Sequence, residues 1–246
     1  MIDPKPQLIT SPHNQKLKAI RRLARRRGRD AAGRFVAEGE DLLAAADGAG
    51  WSALERFVAA GSGLQGTEVE PGILADVSAL GSGTRALAVF EERWAAPSGP
   101  LCVCLWGVAD PGNVGTVLRT AAAFGAASVA LGPGCADPYG PKAVRASMGA
   151  VFTTALARVE SLSELPGRTI ALAARAGEPL RGPLEGDVTL LVGAERTGLP
   201  DEVVEAAAQI AHIPIATESL NAAITAAVAL YEITRPAGGF EAPHGE

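Results

Sequence analysis

Residues 101–108 read LCVCLWGV, an unbroken apolar run that leads into a turn-forming stretch, DPGNVG, at 110–115. A strand with one wet face alternates apolar and polar residues, whereas a strand covered by helices on both faces is apolar throughout. The run therefore reads as an inner strand of a parallel sheet. An Ala-rich helical segment follows, TVLRTAAAFGA at 116–126. ASVALG (127–132), TIALAA (169–174) and VTLLVG (188–193) repeat the apolar-strand signature, with helical stretches between them. Such alternation predicts an α/β domain built on a parallel, doubly covered sheet.

Upstream the texture differs. AAPSGP at 95–100 concentrates Pro, Gly and Ser and reads as a linker. Before it, GRFVAEGEDLLAAADGAG (33–50) reads as a strand, a helix and a glycine stop, and ERFVAAG (55–61) as a strand. PGILADVSALG (71–81) then suggests a short helix and RALAVFE (85–91) another strand, so 33–94 is expected to form a small α/β domain. A basic helix at about 14–28 precedes it, within an arm over 1–32, and 236–246, PAGGFEAPHGE, reads as a disordered tail.

The net charge of −5 hides an asymmetry: residues 1–40 hold ten Lys or Arg against four acids, a local +6 that leaves −11 elsewhere. An acidic chain with a basic arm suits a polyanion met at one end, Arg21, Arg22, Arg25 and Arg26 being the candidate contacts; the alternative is a solvated helix face. The 246 residues are 48% hydrophobic, enough for a substantial core, and no apolar run reaches membrane-spanning length. Cys102, Cys104 and Cys135 form no CxxC pair and read as reduced thiols. With no apolar segment at the N-terminus, the expected location is the cytoplasm, without membrane or metal.

Ligands of open parallel sheets bind at the carboxyl ends of the strands, and three loops fall there. In VADPGNVGTVLRTAAAFGA (108–126), Asn113 is suited to cap a helix, and Arg119 stands on an apolar helix, needing an anionic partner or an exit to solvent. In LLVGAERTGLP (190–200), Gly193 and Gly198 permit close backbone approach to a flat ligand, and Glu195 could hold a cation such as Arg119; the plain alternative is a βα turn with a solvated Glu. In IPIATESLNAAITAAVALYEITR (213–235), a strand-like IPI precedes a helix, so Ile213 and Ile215 could sandwich a ring. Ser219 is the natural cap of that helix, and Asn221 is left without an obvious structural duty. A dinucleotide fingerprint is a poor match, because PGNVG lacks the GxGxxG spacing.

The ordered set DPGNVGTVLRTA, GAERTGL and IPIATESLNAAITAAVALYE resembles the three motifs of the SpoU (TrmH-type) RNA ribose methyltransferases of the SPOUT superfamily, over roughly 101–235. GRFVAEGEDLLAAA resembles that family's substrate-binding domain. The resemblance implies a C-terminal parallel sheet with a deep trefoil knot over about 188–235, S-adenosylmethionine as cofactor, and a homodimer formed through the knotted domain. It further implies a cofactor pocket at Leu191, Gly193, Gly198, Ile213, Ile215, Ser219 and Leu220. Asn113, Arg119, Glu195, Ser219 and Asn221 match the family's functional polar positions. KAVRASMGA (142–150) also resembles a family segment and would bring Lys142, Arg145 and Ser147 near RNA, a solvated helix face being the alternative.

Two departures concern the third loop. IPIATESLN is tighter than the commoner family form, and Ala-Ala-Ile replaces the usual Val-Ser-Val after SLN. Ribose 2′-O-methylation of rRNA, with 23S favoured, is the implied function. The alternatives are a tRNA 2′-O-methyltransferase and a non-catalytic knotted RNA-binding protein; a nucleotide-dependent oxidoreductase ranks below them for want of the phosphate-binding glycines.

Overall fold

The computed structural model describes residues 8–81 and 83–235; Lys5 and the tail at 236–246 lie outside the described residues. The chain separates into two compact units. One runs to Arg93 and also includes Asp137–Thr153; the other comprises Trp94–Ala136 and the chain from Thr154.

The first unit begins with α1 (Gln15–Leu23) and α2 (Arg26–Ala32) where the sequence suggests one helix. Asn14 caps α1 by accepting from the Lys16 N–H at 2.9 Å, and Leu17, Ile20 and Leu23 form its buried stripe. The chain turns at Ala24-Arg25 so that Gly28 packs on the end of α1. A Cβ at Gly28 would lie 2.0 Å from the Arg22 carbonyl oxygen. The turn also carries Arg29 inward. Its guanidinium, 4% exposed, donates to Asp137 Oδ2 at 2.8 and 2.7 Å and to the Leu23 carbonyl at 2.8 Å, so this member of the basic arm is structural.

Next come β1 (Arg34–Glu38), α3 (Glu40–Gly48), β2 (Glu55–Ala59), β3 (Thr67–Val69), α4 (Pro71–Val77) and β4 (Ala86–Glu91). The four strands form a mixed sheet in the order β1-β4-β2-β3, antiparallel except for β2-β3. Leu17, Ile20, Phe57, Val69, Leu74 and Leu87 belong to one buried cluster. A second core is aromatic, with Phe35 ringed by Trp51, Phe90, Tyr139 and Phe152 at centroid distances of 4.6–6.0 Å.

The second unit contains β5 (Leu101–Trp106), α5 (Pro111–Ala123) and β6 (Ser128–Leu131). The chain then contributes α6 (Pro141–Ser147) and a 3₁₀ turn, Ala150–Phe152, to the first unit. It returns as β7 (Ala155–Arg158), β8 (Arg168–Leu172), β9 (Glu178–Pro179), β10 (Val188–Gly193), α7 (Asp201–Ala206), β11 (Gln209–His212) and α8 (Ala222–Thr234). The stretch expected to act as a linker is pinned here, since Ser98 N–H donates to Ser128 Oγ and that hydroxyl donates back to Ser98 O, both at 2.8 Å.

All seven strands of this unit are parallel, in the order β7-β6-β5-β10-β8-β11-β9. The doubly covered sheet inferred from LCVCLWGV is thus present. Its register lines up Ala157, Ala130, Cys104, Leu191 and Ala171 in one row across five strands. Small residues and one leucine let Leu199 and Val203 pack close against this face. Cys102 and Cys104 are free and buried, Cys135 is free and half-buried, and burial pushes all three thiols above their usual range. Among the described residues no helix is long and apolar enough to cross a membrane.

Candidate functional site

Leu172, Gly193 and His212 end β8, β10 and β11, and parallel pairing brings these ends to one edge of the sheet. A cavity of about 490 Å³ opens at that edge. Leu172, Leu199, Ile213, Ile215 and Leu220 supply apolar wall, while Glu195, Arg196, Glu218 and Ser219 supply polar wall. Strand β11 stops before IPI, which lies in a loop rather than a strand. Pro214 has no N–H for a ladder, so the isoleucines on either side of it are released to line the cavity.

The loop after β10 is a tight hairpin. Ala194 N–H donates to Gly198 O at 3.1 Å, and Gly198 N–H donates to Ala194 O at 2.9 Å. Gly198 has φ +69°, and a Cβ on Gly193 would lie 2.3 Å from the Gly198 carbonyl carbon. Both glycines therefore serve the loop's own closure. Its tip presents Glu195, Arg196 and Thr197 to the cavity.

Glu195 is tied to the other two loops. Asn221, not Ser219, caps α8: its Oδ1 accepts from the Ala223 and Ile224 N–H groups at 2.9 and 3.3 Å. With its oxygen so engaged, Asn221 directs Nδ2 to Asn113 Oδ1 at 3.0 Å. The Asn113 amide must then turn its own Nδ2 outward, where it donates to Glu195 Oε1. Asn113 does not cap its own helix. Asp110 does, accepting from the Asn113 N–H at 3.0 Å and so fixing the residue's backbone. The cap of one helix, the first turn of another and the hairpin after β10 are thereby locked into one side-chain relay.

Other expected residues fall elsewhere. Leu191, expected beside a bound ring, is fully buried in the sheet row and does not line the cavity. Arg119 is exposed on α5, six residues past Asn113, and has no hydrogen-bond or ion-pair partner among the described residues. Glu195 takes its hydrogen bond from Asn113 rather than from Arg119.

Among the expected RNA contacts, Arg22 and Arg25 are exposed. Arg21 donates to the Pro12 carbonyl at 2.7 Å, and Arg26 lies 3.7 Å from Asp30. Lys142 is exposed, whereas Arg145 is bonded to both carboxylate oxygens of Asp41 at 3.0 Å. Ser147 is fully buried and donates to Val144 O at 2.7 Å, so it cannot face RNA: it lies on the inner side of α6. Arg196, Glu218 and Asp110 escaped the sequence reading, although Arg196 and Glu218 each adjoin a residue it singled out.

Comparison with known proteins assigns the chain to a family. Residues 100–231 match the model of the SpoU rRNA methylase family, and residues 14–91 match that of the MRM3-like substrate binding domain. An uncharacterized tRNA/rRNA methyltransferase of Synechocystis is 30% identical, over 92% of this chain and 93% of its own length. The 23S rRNA (guanosine(2553)-2′-O)-methyltransferase RlmP of Bacillus subtilis is 28% identical over 92% of this chain and 98% of its own. The crystal structure of an AdoMet-bound rRNA methyltransferase from Sinorhizobium meliloti superposes with a TM-score of 0.82 at 29% identity, covering 92% of this chain and 96% of that one. The chain belongs to the SpoU rRNA methylase family.

Proposed function

We propose that this protein transfers a methyl group from S-adenosylmethionine to a ribose 2′-hydroxyl of ribosomal RNA, with 23S rRNA the favoured substrate. The observation that carries the reading is the cavity at the carboxyl ends of β8, β10 and β11, joined through Glu195 to the Asn113–Asn221 relay. The similarity to the Bacillus 23S rRNA 2′-O-methyltransferase and to an AdoMet-bound rRNA methyltransferase supports it.

The residues present fit the cofactor. Ile213, Ile215 and Leu220 offer an apolar surface for an adenine ring, with Gly193 and Gly198 on the hairpin beside it. Glu195, Asp201 and Glu218 give the same cavity a negative lining, suited to a cationic ligand. When bound, the cofactor supplies an electrophilic methyl group: a bond forms from it to the ribose oxygen, the carbon–sulfur bond breaks with its electrons going to sulfur, and the hydroxyl proton departs.

The protein's share is alignment and management of that proton. A guanidinium group is a poor base, so proton abstraction is not the role that suits Arg119. Exposed and without a partner among the described residues, it is suited to clamp the phosphate next to the reacting ribose and to stabilise the developing alkoxide, the proton passing to phosphate or water. Asn113, Glu195 and Asn221 hold the three loops in register around the reactants, and Ser219 lines the same cavity.

In this reading residues 188–235 form the trefoil knot, supported by the insertion of β10 between the earlier strands β5 and β8. The protein is a cytoplasmic homodimer. Support for the dimer comes from Ile224, Val228 and Tyr231, which are exposed at i, i+4, i+7 spacing on α8. The basic arm over 1–32 and the small domain over 33–94 bind RNA, through Arg22 and Arg25 foremost, with Arg21, Arg26, Lys142 and Arg145 as further contacts.

Calorimetric titration with S-adenosylmethionine and S-adenosylhomocysteine, alone and with rRNA present, tests the pocket. Saturable binding that is abolished in Leu220→Arg supports the reading; absence of binding under both conditions contradicts it.

A further inference from the structure

Resting on the reading of this cavity as the cofactor site, we propose that Arg196 is the residue that recognises the α-carboxylate of the cofactor's methionyl moiety. The charge of the lining carries the inference. Glu195, Asp201 and Glu218 line the cavity as acids, and Arg196 is the one Lys or Arg among its described lining residues. S-adenosylmethionine has a sulfonium, an ammonium and a carboxylate. The acids complement the first two, but a carboxylate placed among three carboxylates is repelled unless a cation meets it.

Arg196 stands where such a cation is needed. The closed hairpin Ala194–Gly198 holds it at the cavity, beside a Glu195 whose Oε1 already accepts from Asn113. Arg196 has no hydrogen bond or ion pair among the described residues, so its planar fork is available for a bidentate carboxylate. RNA phosphate is the competing ligand. Its needs are met by Arg119 and the basic arm, whereas nothing else charged in the lining can meet a carboxylate.

The test compares three ligands on wild type and Arg196→Ala: S-adenosylmethionine, S-adenosylhomocysteine and 5′-methylthioadenosine, which keeps the nucleoside and sulfur but lacks the amino-acid end. A charge-assisted bond of this kind corresponds to roughly tenfold in affinity or more. Arg196→Ala is expected to weaken the first two ligands about tenfold and leave methylthioadenosine within twofold, which also certifies a folded pocket. Arg196→Lys should recover part of the loss.

Equal weakening of all three ligands would overturn the proposal, making Arg196 a support for the loop. Unchanged affinity for all three would also overturn it, and a raised KM for RNA in that variant would reassign Arg196 to phosphate. If wild type bound methylthioadenosine as tightly as S-adenosylhomocysteine, carboxylate recognition itself would be refuted. Failure of wild type to bind any of the three would overturn the cofactor reading and this inference with it.

Discussion

The side-chain amide of Asn221 reaches Asn113 Oδ1 at 3.0 Å while its own oxygen caps α8, so a single residue both caps a helix and joins the relay that runs through Asn113 to Glu195. The two duties are separable. Asn221→Ala removes both and is expected to cost about 1 kcal/mol, the typical value of a helix cap. Asn221→Asp keeps the capping oxygen but replaces the donor facing Asn113. Its thermal midpoint should stay within a few degrees of wild type while methyl transfer falls by an order of magnitude or more. Thermal melts beside single-turnover rates distinguish the outcomes; equal activity in Asn221→Asp would remove the relay from the reaction.

Arg119 is exposed and makes no hydrogen bond or ion pair among the described residues, so its replacement should leave stability unchanged. Arg119→Lys retains a charge and loses the planar fork. A loss of roughly 10²–10³ in turnover, typical of deleting a transition-state donor, is expected with cofactor affinity preserved. Unchanged turnover in Arg119→Lys would rule out the clamp.

The arginines of the arm divide into two kinds. Arg29 is buried against Asp137, and Arg29→Ala strands that carboxylate; a destabilisation of about 3–5 kcal/mol is expected in denaturant titration. Arg22 and Arg25 are solvent-facing. Replacing both with Ala should leave the unfolding midpoint in place and reduce the salt dependence of RNA binding by roughly 0.7–0.9 for each lost phosphate contact. An unaltered salt slope would withdraw the arm from the RNA interface.

An exposed apolar stripe on a single helix face is a liability unless a partner covers it. Ile224→Asp combined with Tyr231→Asp places two charges on that stripe of α8. Light scattering is expected to give a dimer for wild type and a monomer for the double variant; a wild-type monomer at micromolar concentration would exclude the dimer.

How far the sequence disclosed this molecule follows from the physics of each element. Strands β5, β6, β8 and β10 were legible because burial on both faces leaves an unmixed apolar run. Strands β3 (TEV), β7 (ALAR), β9 (EP) and β11 (QIAH) are short and carry charged or polar residues, so neither a period nor an apolar run shows in them. Two of the three loops read at strand ends line the cavity, with Gly193, Ile213 and Leu220 among them; the loop at 108–126 does not line it, and Ala173, Ala174 and Ala176 after β8, which do, were not singled out. The helix caps were not legible, because Asp110 and Asn113, like Ser219 and Asn221, are residue types that all favour the cap position, and propensity does not choose between neighbours of similar rank. No local pattern could reveal that Asn113 bonds to a residue 82 positions away, or that Asp137, 108 positions from Arg29, would bury it. The assignment of α6 to the first unit is likewise a long-range fact, set by α6 packing on β1.

The most direct test is transfer of a labelled methyl group from S-adenosylmethionine to unmodified 23S rRNA, followed by digestion to nucleosides and identification of the product. Label in a single 2′-O-methylnucleoside, absent with Arg119→Ala, is the expected result. Label on a base, or RNA binding without any transfer, would contradict the assignment of this site to ribose methylation.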